Sequence, residues 1–163
     1  MRLTIRKVSS LFLLVTLLLV SMVPTAFATE DLGSWVNKAS MNTARTGFGA
    51  AGYFDKIYVS GGFNSGGYLD SLEMYDATND IWTTKAPMSL PRNKHALVEL
   101  QGKIYAIGGV NAPGNVYISS VEMYDPNTNA WTPKASMQSA RYGFSAVTFN
   151  NKIYVFGGAN ASF

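Results

Sequence analysis

Ile57-Tyr58-Val59-Ser60-Gly61-Gly62 decides how this chain folds, because it is written three times. The same word returns as Ile104-Tyr105-Ala106-Ile107-Gly108-Gly109 and as Ile153-Tyr154-Val155-Phe156-Gly157-Gly158. The double glycines step by 47 and then 49 residues, and Trp35, Trp82 and Trp131 keep the same steps. Glu73-Met74-Tyr75-Asp76 recurs as Glu122-Met123-Tyr124-Asp125. A period of this size marks one supersecondary unit, copied and stacked so that neighbours bury each other's apolar faces.

One copy resolves into four short strands. Gly49 to Tyr53 is a small-residue strand, a, and Phe54-Asp55 turns the chain. The equivalent turns, Gln101-Gly102 and Asn150-Asn151, are residue pairs that suit a tight hairpin with positive φ. Lys56 to Ser60 is strand b, apolar throughout as in a strand buried on both faces. The double glycine ends it, where a side chain would obstruct a bend or a neighbouring backbone. A polar loop, Asn64 to Asp70, precedes the alternating strand c, Ser71 to Asp76. Turn chemistry follows in Asp76-Ala77-Thr78-Asn79-Asp80 and Asp125-Pro126-Asn127-Thr128-Asn129, and Ile81 to Thr84 is strand d. Four antiparallel strands per copy make one blade of a β-propeller.

Apolar strand, Gly-Gly, Tyr-Asp, Trp and then Met-x-x-x-Arg is an order that resembles the kelch repeat. The last element is Met41 to Arg45, Met88 to Arg92 and Met137 to Arg141. The resemblance spans residues 35–163 and implies an all-β propeller of four-stranded antiparallel blades. The family uses such blades in both binding proteins and enzymes. The layout expected is a lone d strand at 35–37, blades at 48–84 and 95–133, and a half blade at 144–163. That is an incomplete arc of about two and three-quarter blades, where a closed ring takes about 4 to 8. The expectation is a chain cut short on its C-terminal side. The alternative is a natural short chain that closes its ring by self-association through open sheet edges.

Residues 1–28 read as a secretory signal. Arg2, Arg6 and Lys7 form a basic start, Leu11 to Val20 an apolar core, and Ala26-Phe27-Ala28 a small-x-small cleavage site. The core is short for a membrane span of about 20 residues. The mature protein is therefore expected to begin at Thr29, outside the cytoplasm, with no membrane contact after cleavage. The whole chain carries 13 basic and 10 acidic residues, and the signal removes three basic ones, so the mature protein is neutral. A nucleic-acid partner would need a basic face, so none is expected.

There is no cysteine and one histidine, His95. Disulfides, thiolate chemistry and a multi-histidine metal site are excluded, and no cofactor is expected. Gly47-Phe48-Gly49-Ala50-Ala51-Gly52 matches G-x-G-x-x-G, but a strand follows where a dinucleotide site needs a helix. Asp125-x-Asn127-x-Asn129 starts like a calcium loop, yet Ala130 and Ser136 stand where glycine and glutamate are required. Asn160-Ala161-Ser162 fits a glycosylation acceptor. No nucleophile with a base is visible.

Arg45, Arg92 and Arg141 recur in the d-to-a connections. On adjacent blades they would form a row able to collect an anion. Because they repeat with the scaffold, a tie between blade elements is the favoured reading. The residues that differ between copies are better specificity candidates: Thr46, Asn93 and Tyr142 after each arginine, and Lys94-His95 in the middle copy. The b-to-c loops add Asn64, Tyr68, Asn111, Asn115 and Tyr117. Loops on a rigid scaffold are where binding concentrates. A solvated loop without a ligand is the competing reading.

The function expected is a secreted module that binds a protein or a cell-surface glycan through the d–a and b–c loop face. The alternative is a fragment of a secreted carbohydrate-active kelch enzyme, similar to a sialic-acid mutarotase, whose remaining site residues lie in missing blades. The family's copper oxidase site needs a cysteine-linked tyrosine and two histidines, which this chain does not hold.

Overall fold

The computed structural model describes residues 35–111, 114 and 116–160. The signal segment, Asn115 and the end of the glycosylation acceptor lie outside them. Every regular element among the described residues is a strand.

The first blade holds β1 (Gly49–Tyr53) and β2 (Lys56–Ser60), then a small hairpin of β3 (Phe63–Asn64) and β4 (Gly67–Tyr68), then β5 (Leu72–Asp76) and β6 (Ile81–Lys85). The second repeats it as β7 (Ala96–Leu100), β8 (Lys103–Ile107), β9 (Val110–Asn111), β10 (Val116–Tyr117), β11 (Val121–Asp125) and β12 (Ala130–Lys134). The third contributes β13 (Ser145–Phe149) and β14 (Lys152–Phe156). The sheets run β1-β2-β5-β6 and β7-β8-β11-β12, with β13-β14 as a pair. All ladders are antiparallel.

This is the expected all-β arc of kelch-type blades, with two differences. The b-to-c connections are hairpins, β3–β4 and β9–β10, where a polar loop was read; two-residue strands leave no period in a sequence. And residues 35–37 form no strand. Each d strand in the blades pairs with a c strand, β6 with β5 and β12 with β11. Trp35 is fully exposed.

The two other tryptophans show what this position does when paired. Trp82 and Trp131 pack on Tyr75 and Tyr124 at ring distances of 5.1 and 5.3 Å. Their indole N–H groups donate to Ala39 and Ala86 carbonyls, each at 2.8 Å. The Ala39 and Ala86 N–H groups in turn donate to Asp80 and Asn129. Each d strand thus grips the connector that leads into its blade.

The core lies between the two full blades. Tyr58, Leu72, Met88, Leu97, Ile104, Ala106 and Tyr124 form one buried cluster. Burying one large apolar side chain contributes roughly 1.5–3 kcal/mol, so this cluster is the main cohesive element. The double glycines sit at the same junction. Gly61 and Gly62 have φ of 61° and 99°, and a Cβ on Gly61 would meet the Arg92 carbonyl oxygen at 2.4 Å. The N–H of Gly62 donates to that carbonyl at 2.7 Å, and Gly109 N–H repeats the bond to Arg141 at 2.9 Å. The C-terminal halves of β2 and β8 are buried on both faces, with Tyr58 and Val59 covered in one and Ala106 and Ile107 in the other, whereas Ile57 and Phe156 are exposed.

Candidate binding face

The arginines of the d-to-a connections turn inward. Arg45 forms an ion pair with Glu73, and both side chains are buried. Its guanidinium also donates to the Gly61 carbonyl at 2.8 Å. Arg92 repeats this with Glu122 at 2.8 Å and with the Gly108 and Ser120 carbonyls at 3.0 and 2.8 Å. The two glutamates also accept from connector N–H groups, Asn42 to Glu73 and Ser89 to Glu122. Each arginine therefore ties the start of its blade to strands b and c. Arg141 keeps the carbonyl bond, to Gly157 at 2.9 Å, and is half-buried. Arg45 and Arg92 are thus the blade ties that the repeat favours, and the alternative of an anion-collecting row is corrected: both side chains are buried and paired.

His95 is also corrected. Its variation between copies points to a ligand-facing side chain, but it is buried. It occupies the place of Phe48 and Phe144 at the head of strand a; its ring lies against Gly49 and Gly61, and its Cβ against Gly109. Its Nε2 is 2.9 Å from the Ser60 hydroxyl oxygen, and Nδ1 has no partner. Burial, reinforced by the nearby Arg92 charge, holds its pKa down at about 3. A serine–histidine pair resembles the start of a hydrolytic site, but this one is closed to substrate and has no group orienting Nδ1. Among the described residues no three His, Asp or Glu side chains gather to hold a metal.

The d–a and b–c segments do meet on one face. Main-chain bridges join Thr46 to Phe63, Asn93 to Val110, and Tyr142 to Ala159. Asn64 is spent on its own turn, donating to the Ala44 carbonyl and accepting from Gly66 N–H. Thr46 is exposed and Asn111 half-buried in β9. The remaining candidates converge. Tyr68, Asn93, Lys94, Val110, Tyr117 and Tyr142 line a cavity of about 230 Å³. Tyr117 and Tyr142 stack at 4.8 Å with a 14° interplanar angle. Lys94 Nζ stands 5.6 Å from the Tyr142 ring centre. The Tyr142 hydroxyl pushes the Tyr117 phenol above its ordinary pKa. Gly47 makes room for the Asn93 amide, whose Oδ1 would lie 2.1 Å from a Cβ there. Val110 joins the sequence candidates in this lining; its signal is its place directly after a double glycine, where the bridge to Asn93 forms.

The fold is that of a β-propeller arc, and its variable side chains collect at one loop-built cavity. Within that class, the chain belongs to the kelch-repeat family: the family described as KLHDC2/KLHL20/DRC7 Kelch-repeats domain matches residues 22–158. It is 39% identical over 82 residues to Influenza virus NS1A-binding protein homolog B of Danio rerio, covering 50% of this chain and 13% of that protein. It is 38% identical over 81 residues to Kelch-like ECH-associated protein 1B of Danio rerio, covering 47% and 14%. Among solved structures, that titled "Structure of YjhT" matches with a TM-score of 0.66 at 23% identity, covering 76% of this chain and 37% of that one; this likeness concerns the fold. Kelch repeats commonly mediate protein interaction, and the names of the two Danio proteins record such association for them.

Proposed function

We propose that this chain is an extracytoplasmic kelch module that binds a protein partner through the face of its d–a and b–c loops. The observation that carries the reading is the cavity at Tyr68, Lys94, Tyr117 and Tyr142, built by loops of successive blades rather than by one element. Aromatic side chains on a rigid frame supply contact area at small entropic cost. Export is supported by the basic start, apolar core and Ala26-Phe27-Ala28 of the N-terminus.

Two experiments test this. Secretion from a host cell followed by N-terminal sequencing should give Thr29 as the first residue; membrane-bound protein retaining Met1 would defeat the export reading. Crosslinking from a photoreactive residue at Val116, on the exposed side of β10, should capture a protein partner that Tyr142→Ala loses. Capture of glycan alone would replace the protein by a cell-surface sugar.

A further inference from the structure

Lys94 stands where the sister blades carry Gly47 and Gly143. All three residues have left-handed backbone, with φ of 64°, 52° and 62° in chain order. Glycine adopts this conformation freely and a lysine does not. The backbone duty is the same in each copy: Lys94 N–H donates to the Gly47 carbonyl, and Gly143 N–H to the Lys94 carbonyl. The lysine side chain is thus an addition that the scaffold does not require, held at a place where it costs stability. Strain kept at one copy of a repeat points to use.

Its charge is also unspent. Lys56 and Lys103 are neutralised by Asp76 and Asp125 at 3.0 and 2.7 Å. Lys94 has no ion pair among the described residues, and no carboxylate lines its cavity. The ammonium rests over the Tyr142 ring, a contact that leaves N–H groups free to donate. Beside it the Tyr117–Tyr142 stack presents a flat apolar wall. The cavity, about 230 Å³, is smaller than the roughly 300–1,000 Å³ of pockets that enclose small molecules. It suits one or two side chains of a longer ligand.

We propose that Lys94 makes this cavity an acidic-peptide site, in which Lys94 Nζ donates to an aspartate or glutamate carboxylate while an adjoining flat side chain of the peptide lies along Tyr117 and Tyr142. The proposal rests on the protein-binding reading of the face and adds its ligand chemistry.

The test is selection of short random phage-displayed peptides on the full chain, followed by affinity measurement with the best synthetic peptide. Enriched peptides should carry Asp or Glu next to an aromatic residue or proline. Lys94→Gly, which restores the sister residue and relaxes the backbone, should weaken binding by about ten-fold or more while the melting temperature holds or rises. Lys94→Arg should keep most of the affinity, and added salt should reduce it. Peptides without acidic residues, or equal affinity for Lys94→Gly, overturn the acidic site. If those peptides still depend on Tyr142, the protein-binding reading survives alone. If no peptide is enriched, both fall. Lys94-dependent binding of polygalacturonate without peptide binding would assign the site to an acidic sugar and overturn the peptide.

Discussion

His95 Nε2 lies 2.9 Å from Ser60 Oγ, and this contact joins the head of the second blade to the end of strand b in the first. Both groups are buried. A cation formed there would have neither water nor a carboxylate, and Arg92 already stands nearby.

Acid should therefore loosen this junction. The folded-state pKa of about 3 lies below the ordinary 6.5, so between these values the unfolded chain binds more protons and stability falls as pH falls. Carboxylates remain ionised in both states above about pH 5, which leaves the histidine dominant from there to neutrality. Denaturant titrations at pH 7.5 and 5 should show a loss approaching about 1.4 kcal/mol per pH unit below 6.5. The double variant Ser60→Ala/His95→Phe should lose much less; an unchanged pH dependence would assign the effect elsewhere.

Arg92→Ala should destabilise by about 3–5 kcal/mol, because Glu122 stays buried with its charge uncompensated. Arg141→Ala, which removes one bond to the Gly157 carbonyl, should cost about 1 kcal/mol. Equal losses in chemical denaturation would contradict the inward, paired arrangement.

Gly61→Ala should cost about 2 kcal/mol or more, since it combines positive φ with a backbone oxygen at 2.4 Å. Gly52→Ala in β1 is the control: its added Cβ meets nothing within 4 Å. Thermal melts of the pair should separate clearly.

The edge of β14 has no partner on the side away from β13 among the described residues, whereas β2 and β8 there pair with β5 and β11. Val147, Phe149, Tyr154 and Phe156 are exposed on the same hairpin. Unpaired apolar edges template further pairing. Residues 29–163 expressed alone should sediment as concentration-dependent oligomers, and Phe149→Lys/Phe156→Lys should reduce them. A compact, cooperatively melting monomer is the contrary outcome.

Most strand limits were legible because a repeat averages out local ambiguity. β1 and β2 fall where the residues place them, β5 starts at Leu72 rather than Ser71, and β6 runs on to Lys85. Trp35 keeps the repeat spacing of Trp82 and Trp131, and residues 35–37 carry no strand assignment. His95 varies between copies yet is buried, so variation does not mark exposure at this position. Its alignment with Phe48 and Phe144, at a strand head beside glycines, carried the contrary signal. Lys94 is legible as variable, and the glycines at the sister positions, Gly47 and Gly143, are the signal of its left-handed backbone. Nothing in the spacing foretold that Tyr117 and Tyr142, from different blades, stack.

Thr46, Asn93 and Tyr142 hold their bridges to the residues after the double glycines through main-chain groups alone. A small hydroxyl, an amide and a phenol thus occupy one structural address. The joint between loops places no demand on what the side chain is. The side chain at these positions can change without breaking the joint, and duplication of a blade hands the copy a ready mount for a new contact. In such an array a change of partner requires no change of joinery, and a lineage can try new ligands one blade at a time while the frame keeps its shape.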